Sequence, residues 1–81
     1  MILEVVVYNI ESALQAQKGG ADRIELCDNP GEGGTTPSFG IIEVVRKKLT
    51  IGVFVMIRPR GGDFHYSAED FECMKVDIEQ C

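Results

Sequence analysis

The polar and apolar positions of this chain change period three times, each time marking a strand that gives way to a helix. Ile2 to Tyr8 is a run rich in β-branched residues, interrupted by Glu4, and predicts a strand over 2–8 buried on both faces. Asn9 follows as a helix cap, with Glu11 in the first turn, where the helix dipole favours an anion. Ile10, Ala13, Leu14 and Gln17 recur at helical spacing, and Gly19-Gly20 stops that helix, which spans 10–18. A second strand over 23–27 leads into a loop rich in Gly, Pro and Asn, from Asp28 to Thr35.

Thr36-Pro37 reads as the cap and first residue of a second helix over 37–49. Its apolar stripe is Ile41, Ile42, Val45 and Leu49, and Arg46, Lys47 and Lys48 fill its last turn. Gly40, inside it, suggests a close approach by another backbone. The third strand, 53–57, is almost purely apolar, and Arg58 to Tyr66 forms a second Gly-rich loop. Ser67 with Asp70 makes a capping box for a third helix over 68–81, whose buried face is Phe71, Met74, Ile78 and Cys81.

Strands alternating with helices imply an α/β fold with a parallel sheet and right-handed crossovers. Three βα units neither close a barrel nor cover both faces of a sheet, so the first and third strands are expected as open edges. The chain therefore reads as the front of something larger. Its 81 residues, 44% hydrophobic and 26% charged, are those of a globular chain. A net charge of −5 without a Lys/Arg cluster argues against a nucleic-acid partner or a polybasic membrane anchor. The longest apolar runs are strand-sized, so no membrane span is expected. The start lacks a basic region and a cleavage site, which points to the cytoplasm and to reduced thiols.

In a parallel α/β fold the chemistry sits in the loops that follow the strands. The third such loop carries Arg58 and Arg60 around Pro59, then Gly61-Gly62, Asp63, His65 and Tyr66. Guanidinium forks beside exposed amides suit a carboxylate or phosphate, so Arg58, Arg60, Gly61 and Gly62 form a candidate anion site. The structural alternative pairs Arg58 with Glu4 or Glu25, each of which interrupts an apolar strand. Glu25 is also the candidate general acid or base. The Gly31 to Thr36 loop leads into a helix N-terminus but lacks the Lys of a P-loop, so its phosphate signal is weak. Soft sulfur ligands select Cu(I), and Cys27, closing the second strand, is the one cysteine placed like a ligand. Cys73 reads as surface, Cys81 as core, Met56 and Met74 as packing, and His65 as a solvated loop histidine. Spacing alone makes a poor case for copper.

Three stretches, Gly19 to Cys27, Glu32 to Ser38 and Phe54 to Phe64, together resemble the CutC copper-homeostasis family, and the opening Leu3-Glu4-Val5 and Glu11 to Leu14 fit it as well. The resemblance runs the length of the chain. It implies a partial TIM-type (β/α) barrel made of the first three βα units, residues 1–81 being the N-terminal part of a single barrel domain. A TIM barrel typically takes ~250 residues. The resemblance further implies a cytoplasmic protein, often a homo-oligomer, that takes part in copper homeostasis and handles Cu(I). Cys27 matches the family's cysteine at the end of the second strand and carries over as the copper ligand. Glu25, Arg58 and Arg60 match positions that line the barrel mouth. A second expectation, from a different class, is a barrel enzyme acting on a small anionic metabolite.

Overall fold

A computed structural model describes residues 1–81. Its elements run β1 (Glu4–Val7), α1 (Ile10–Lys18), β2 (Arg23–Leu26), a 3₁₀ turn (Pro30–Glu32), α2 (Phe39–Lys48), β3 (Gly52–Val55) and α3 (Ala68–Gln80). The strands lie in the order β1-β2-β3, all parallel, with Val6, Glu25 and Phe54 in register. This is the alternating α/β order and partial-barrel arrangement that the hydrophobic pattern and the resemblance imply. β1 and β3 are the edges of the sheet.

Each strand is shorter than its apolar run. Only one face of the sheet is covered, so the pleat sorts the run into two sets. Val7, Ile24 and Leu26 are buried beneath α1 and α2 with Ala13, Ile42, Val45 and Leu49, and Val5, Val53 and Val55 pack against that core. The opposite face carries Val6, Glu25 and Phe54 and is open, with Val6 47% and Phe54 53% exposed. In a closed barrel that face is the interior. The expectation of strands buried on both faces is thus met on one face within these residues.

Local chemistry sets the helix ends. Asn9 Oδ1 accepts from the Ser12 amide at 2.7 Å, and Gly19 and Gly20 end α1, Gly20 with φ of 98°. Gln17 reaches across from α1, and its side-chain oxygen accepts from the amides of Thr50 and Ile51, fixing the entry to β3. The second helix starts two residues later than expected. Its cap is Ser38, whose Oγ accepts from the Ile41 amide, because Thr36 is engaged elsewhere. Gly40 has open space around it rather than a neighbouring backbone.

The third helix has the expected capping box, Ser67 with Asp70. Its apolar stripe, however, stays uncovered: Phe71 and Ile78 are each 60% exposed, Cys81 is exposed, and no residue of α3 is buried. A crossover helix packs against the strand before it and the strand after it. Here the sheet ends at β3, so no following strand receives that stripe. Cys81 is therefore surface, not core.

Candidate functional site at the C-terminal strand ends

The sequence-predicted site residues lie at the ends of two neighbouring strands, Glu25 and Cys27 on and after β2, and Arg58, Arg60, Gly61 and Gly62 in the loop after β3. Glu25 and Cys27 alternate with Ile24 and Leu26 and so face the open side of the sheet, although Cys27 is only 2% exposed. What covers Cys27 is the turn that follows it. A Cβ at Gly34 would lie 3.5 Å from Cys27 Sγ and 3.6 Å from Met56 Cε, so the thiol and the thioether methyl both border that glycine. Met56 is held there by its amide, which donates to the Leu26 carbonyl at 3.0 Å. Burial pushes the Cys27 thiol above its ordinary pKa, and the Glu25 carboxylate raises it further. Cys27 is thus a protonated, sheltered thiol at neutral pH.

The turn over Cys27 is fixed at several points. Asp28 and Thr35 exchange both backbone bonds at 2.9 Å, and the Thr36 amide donates to the Arg58 carbonyl at 2.9 Å. In return the Arg58 amide donates to Thr36 Oγ1 at 2.8 Å, which is why Thr36 does not cap α2. The guanidinium completes the brace. Arg58 Nη1 donates to the carbonyls of Glu32 and Gly34, and Nη2 donates to that of Gly62 at 3.0 Å. Phe64 lies over it, 4.7 Å from ring centre to guanidinium carbon.

Arg58 therefore pairs with neither Glu4 nor Glu25. Glu4 is bound to Arg23 at 2.9 Å, and Glu25 belongs to none of the three ion pairs. Arg58 is held by neutral carbonyls, its charge is balanced by no carboxylate within ion-pair distance, and its buried Nε has no hydrogen-bond partner. Arg60 is used differently. It reaches Asp70 at 3.1 Å and Asp63 at 3.2 Å, donates to the His65 carbonyl, and lies against the Tyr66 ring. Both aspartates are held below the usual carboxylate range, Asp63 first by the His65 amide and Asp70 first by the Ser67 amide, with Arg60 adding to each. Arg60 thus ties its own loop to the start of α3. His65 is exposed, as expected for a loop histidine.

Two residues were not singled out as site components from sequence. Glu32 places its carboxylate against the Gly61-Gly62 turn, accepting from the Gly62 amide at 3.0 Å. A Cβ at Gly61 would come within 2.5 Å of that carboxylate, so the carboxylate keeps its place only against a glycine. The signal was an acidic residue inside a glycine loop, facing a second glycine loop rich in arginine. Met56 was read as packing, and only the register of β2 and β3 puts it beside Cys27.

Comparisons with known proteins agree with this architecture. The model of the CutC family matches residues 1–81. The chain is 60% identical over 77 residues to the human copper homeostasis protein cutC homolog, covering 95% of this chain and 28% of that protein. It is 54% identical over 80 residues to the family protein CutC of Chromobacterium violaceum, covering 99% of this chain and 32% of that one. The chain thus spans about a third or less of the relatives it matches. The crystal structure of CutC from Streptococcus agalactiae superimposes with a TM-score of 0.88 at 42% identity, over 99% of this chain and 40% of that chain. Sequence match and backbone agree along the full 81 residues: the chain belongs to the CutC family.

Proposed function

We propose that this chain is the Cu(I)-handling part of a cytoplasmic, homo-oligomeric (β/α) barrel, with Cys27 as the thiolate ligand and copper as cargo. The observation that supports the reading is that Cys27 Sγ and the Met56 methyl both border Gly34, at the ends of adjacent parallel strands. Thiolate and thioether are the soft donors that select Cu(I) over harder cations. Two sulfurs make a partial donor set, which further residues of a barrel would complete. The free thiols of Cys27, Cys73 and Cys81 and the family's copper-homeostasis name support the same reading. No helix is long and apolar enough to cross a membrane.

The test is a competition titration of the protein against a Cu(I)-specific chelator under reducing conditions. Cys27→Ser is expected to weaken binding about 100-fold or more, and Met56→Leu about tenfold, as loss of a ligand and of its weaker partner. Unchanged binding in Cys27→Ser removes the site.

A second reading is favoured by a different observation. Arg58 carries a charge that no carboxylate within ion-pair distance balances, and Glu25 lies outside every ion pair on the open face. These are the parts of a barrel-mouth enzyme for a small anionic metabolite, with Arg58 binding the anion and Glu25 as acid or base, whereas Arg60 is taken by Asp63 and Asp70 and the Gly61-Gly62 turn by Glu32. It expects inorganic phosphate or a dicarboxylate to raise the melting temperature. A melting curve indifferent to both removes it.

A further inference from the structure

We propose that Glu32 is the latch that closes the Asn29–Gly34 turn over Cys27, and that release of its carboxylate from the Gly61-Gly62 turn opens the thiol to small molecules. Gly34 of this turn packs against Cys27, and the turn runs through left-handed backbone. Asn29, Gly33 and Gly34 all have positive φ, at 55°, 81° and 103°. Asn adopts that region more readily than other residues with side chains, and the Asn29 carbonyl is held there by the Glu32 and Gly34 amides.

Besides the turn's own backbone bonds, from the Glu32 and Gly34 amides to the Asn29 carbonyl and from the Gly33 amide to that of Pro30, two kinds of contact tie it to the rest of the fold, and they differ in how readily they part. Asp28–Thr35 and Thr36–Arg58 are main-chain braces at the base of the turn. The tip is held across the gap between two loops, by Arg58 on the Glu32 and Gly34 carbonyls and by the Glu32 carboxylate on the Gly62 amide. Glu32 is exposed, so its side chain can swing into water without leaving a buried charge behind. Arg58 is anchored at its own backbone and shielded by Phe64, so it stays where it is. Glu32 is therefore the movable half of the tip.

A thiol only 2% exposed cannot meet a metal or a reagent without such an opening. The latch is a positioning device. It binds no copper itself and sets how often Cys27 can be reached. This deepens the copper reading but does not depend on it, because thiol access is measured without metal.

The experiment uses the protein with Cys73→Ser and Cys81→Ser, which removes the two exposed thiols, and follows iodoacetamide labelling of Cys27 under native conditions. Glu32→Ala is expected to raise the labelling rate about tenfold or more, as loss of a charge-assisted hydrogen bond that governs local opening. Glu32→Gln, which keeps an acceptor oxygen for the Gly62 amide, should restore most of the protection. Gly61→Ala attacks the latch from the other side, since its Cβ would displace the Glu32 carboxylate. It should match Glu32→Ala and add nothing when combined with it. Gly31→Ala, in the same turn but with open space at the added methyl, is the control and should label like the parent. Labelling unaltered by both Glu32→Ala and Gly61→Ala overturns the latch. So does a rise in every variant, Gly31→Ala included, that merely follows a fall in melting temperature.

Discussion

Cys27 gains its character from one neighbouring strand and one turn, and that has a consequence for pH. Burial, reinforced by Glu25, keeps the thiol protonated at neutral pH. Binding of Cu(I) as a thiolate complex must therefore expel one proton. Apparent affinity is predicted to rise about tenfold per pH unit across the neutral range, still climbing where an ordinary cysteine would level off. Chelator competition at several pH values reads the slope, and a flat profile means that no thiol proton is released. A second residue-scale prediction concerns Arg60. Asp63 and Asp70 have lowered pKa values in the fold, so the stability they contribute is complete above the ordinary aspartate value of about 3.9 and is lost as pH falls through their lowered values. Asp70→Asn should flatten part of that acid loss in a melting-temperature profile, and an unchanged profile would show that Asp70, held by the Ser67 amide and by Arg60, carries no linkage. Residue identity made Cys27, Glu25, Arg58 and Arg60 legible in the sequence as candidates. Their partners were not legible. The expectation of Arg58 against a strand carboxylate met a loop of carbonyls instead, because hydrogen-bond geometry across two loops leaves no periodic trace.

At the scale of elements, hydrophobic period and caps were enough to find three strands and three helices in order, and α1 matches to the residue at Ile10–Lys18. The start of α2 differs from the expectation because Thr36 and Ser38 are both good caps. Only the tertiary bond between Thr36 and Arg58 decides between them. Ser38→Ala should destabilise the protein by about 0.5–2 kcal/mol through loss of the cap to Ile41. Ser67→Ala removes an equally well-formed cap from α3 but should leave global stability nearly unchanged, because α3 buries no residue. Its effect should appear as faster amide exchange in the first turn of α3 alone. Urea denaturation together with hydrogen exchange separates the two, and equal global losses would contradict the account of α3 as an undocked helix.

For the molecule as a whole, the sequence conveyed the parallel α/β class and, through its family resemblance, the barrel to which three units belong. It did not convey which faces the 81 residues leave open. Apolar pattern reports what a side chain is suited to touch, not whether the partner is present. Val6 and Phe54 on the sheet, and Phe71 and Ile78 on α3, are suited to burial and remain exposed. The same distinction applies to the proposed copper site, where Cys27 and Met56 would be two donors of a set that a closed barrel mouth would extend. The claim that this mouth handles copper is tested most directly by X-ray absorption at the copper edge on the Cu(I)-loaded protein. The account predicts at least two sulfur scatterers in the first shell, one of them lost in Cys27→Ser. A first shell of nitrogen and oxygen alone, or a spectrum that Cys27→Ser leaves unaltered, would contradict it.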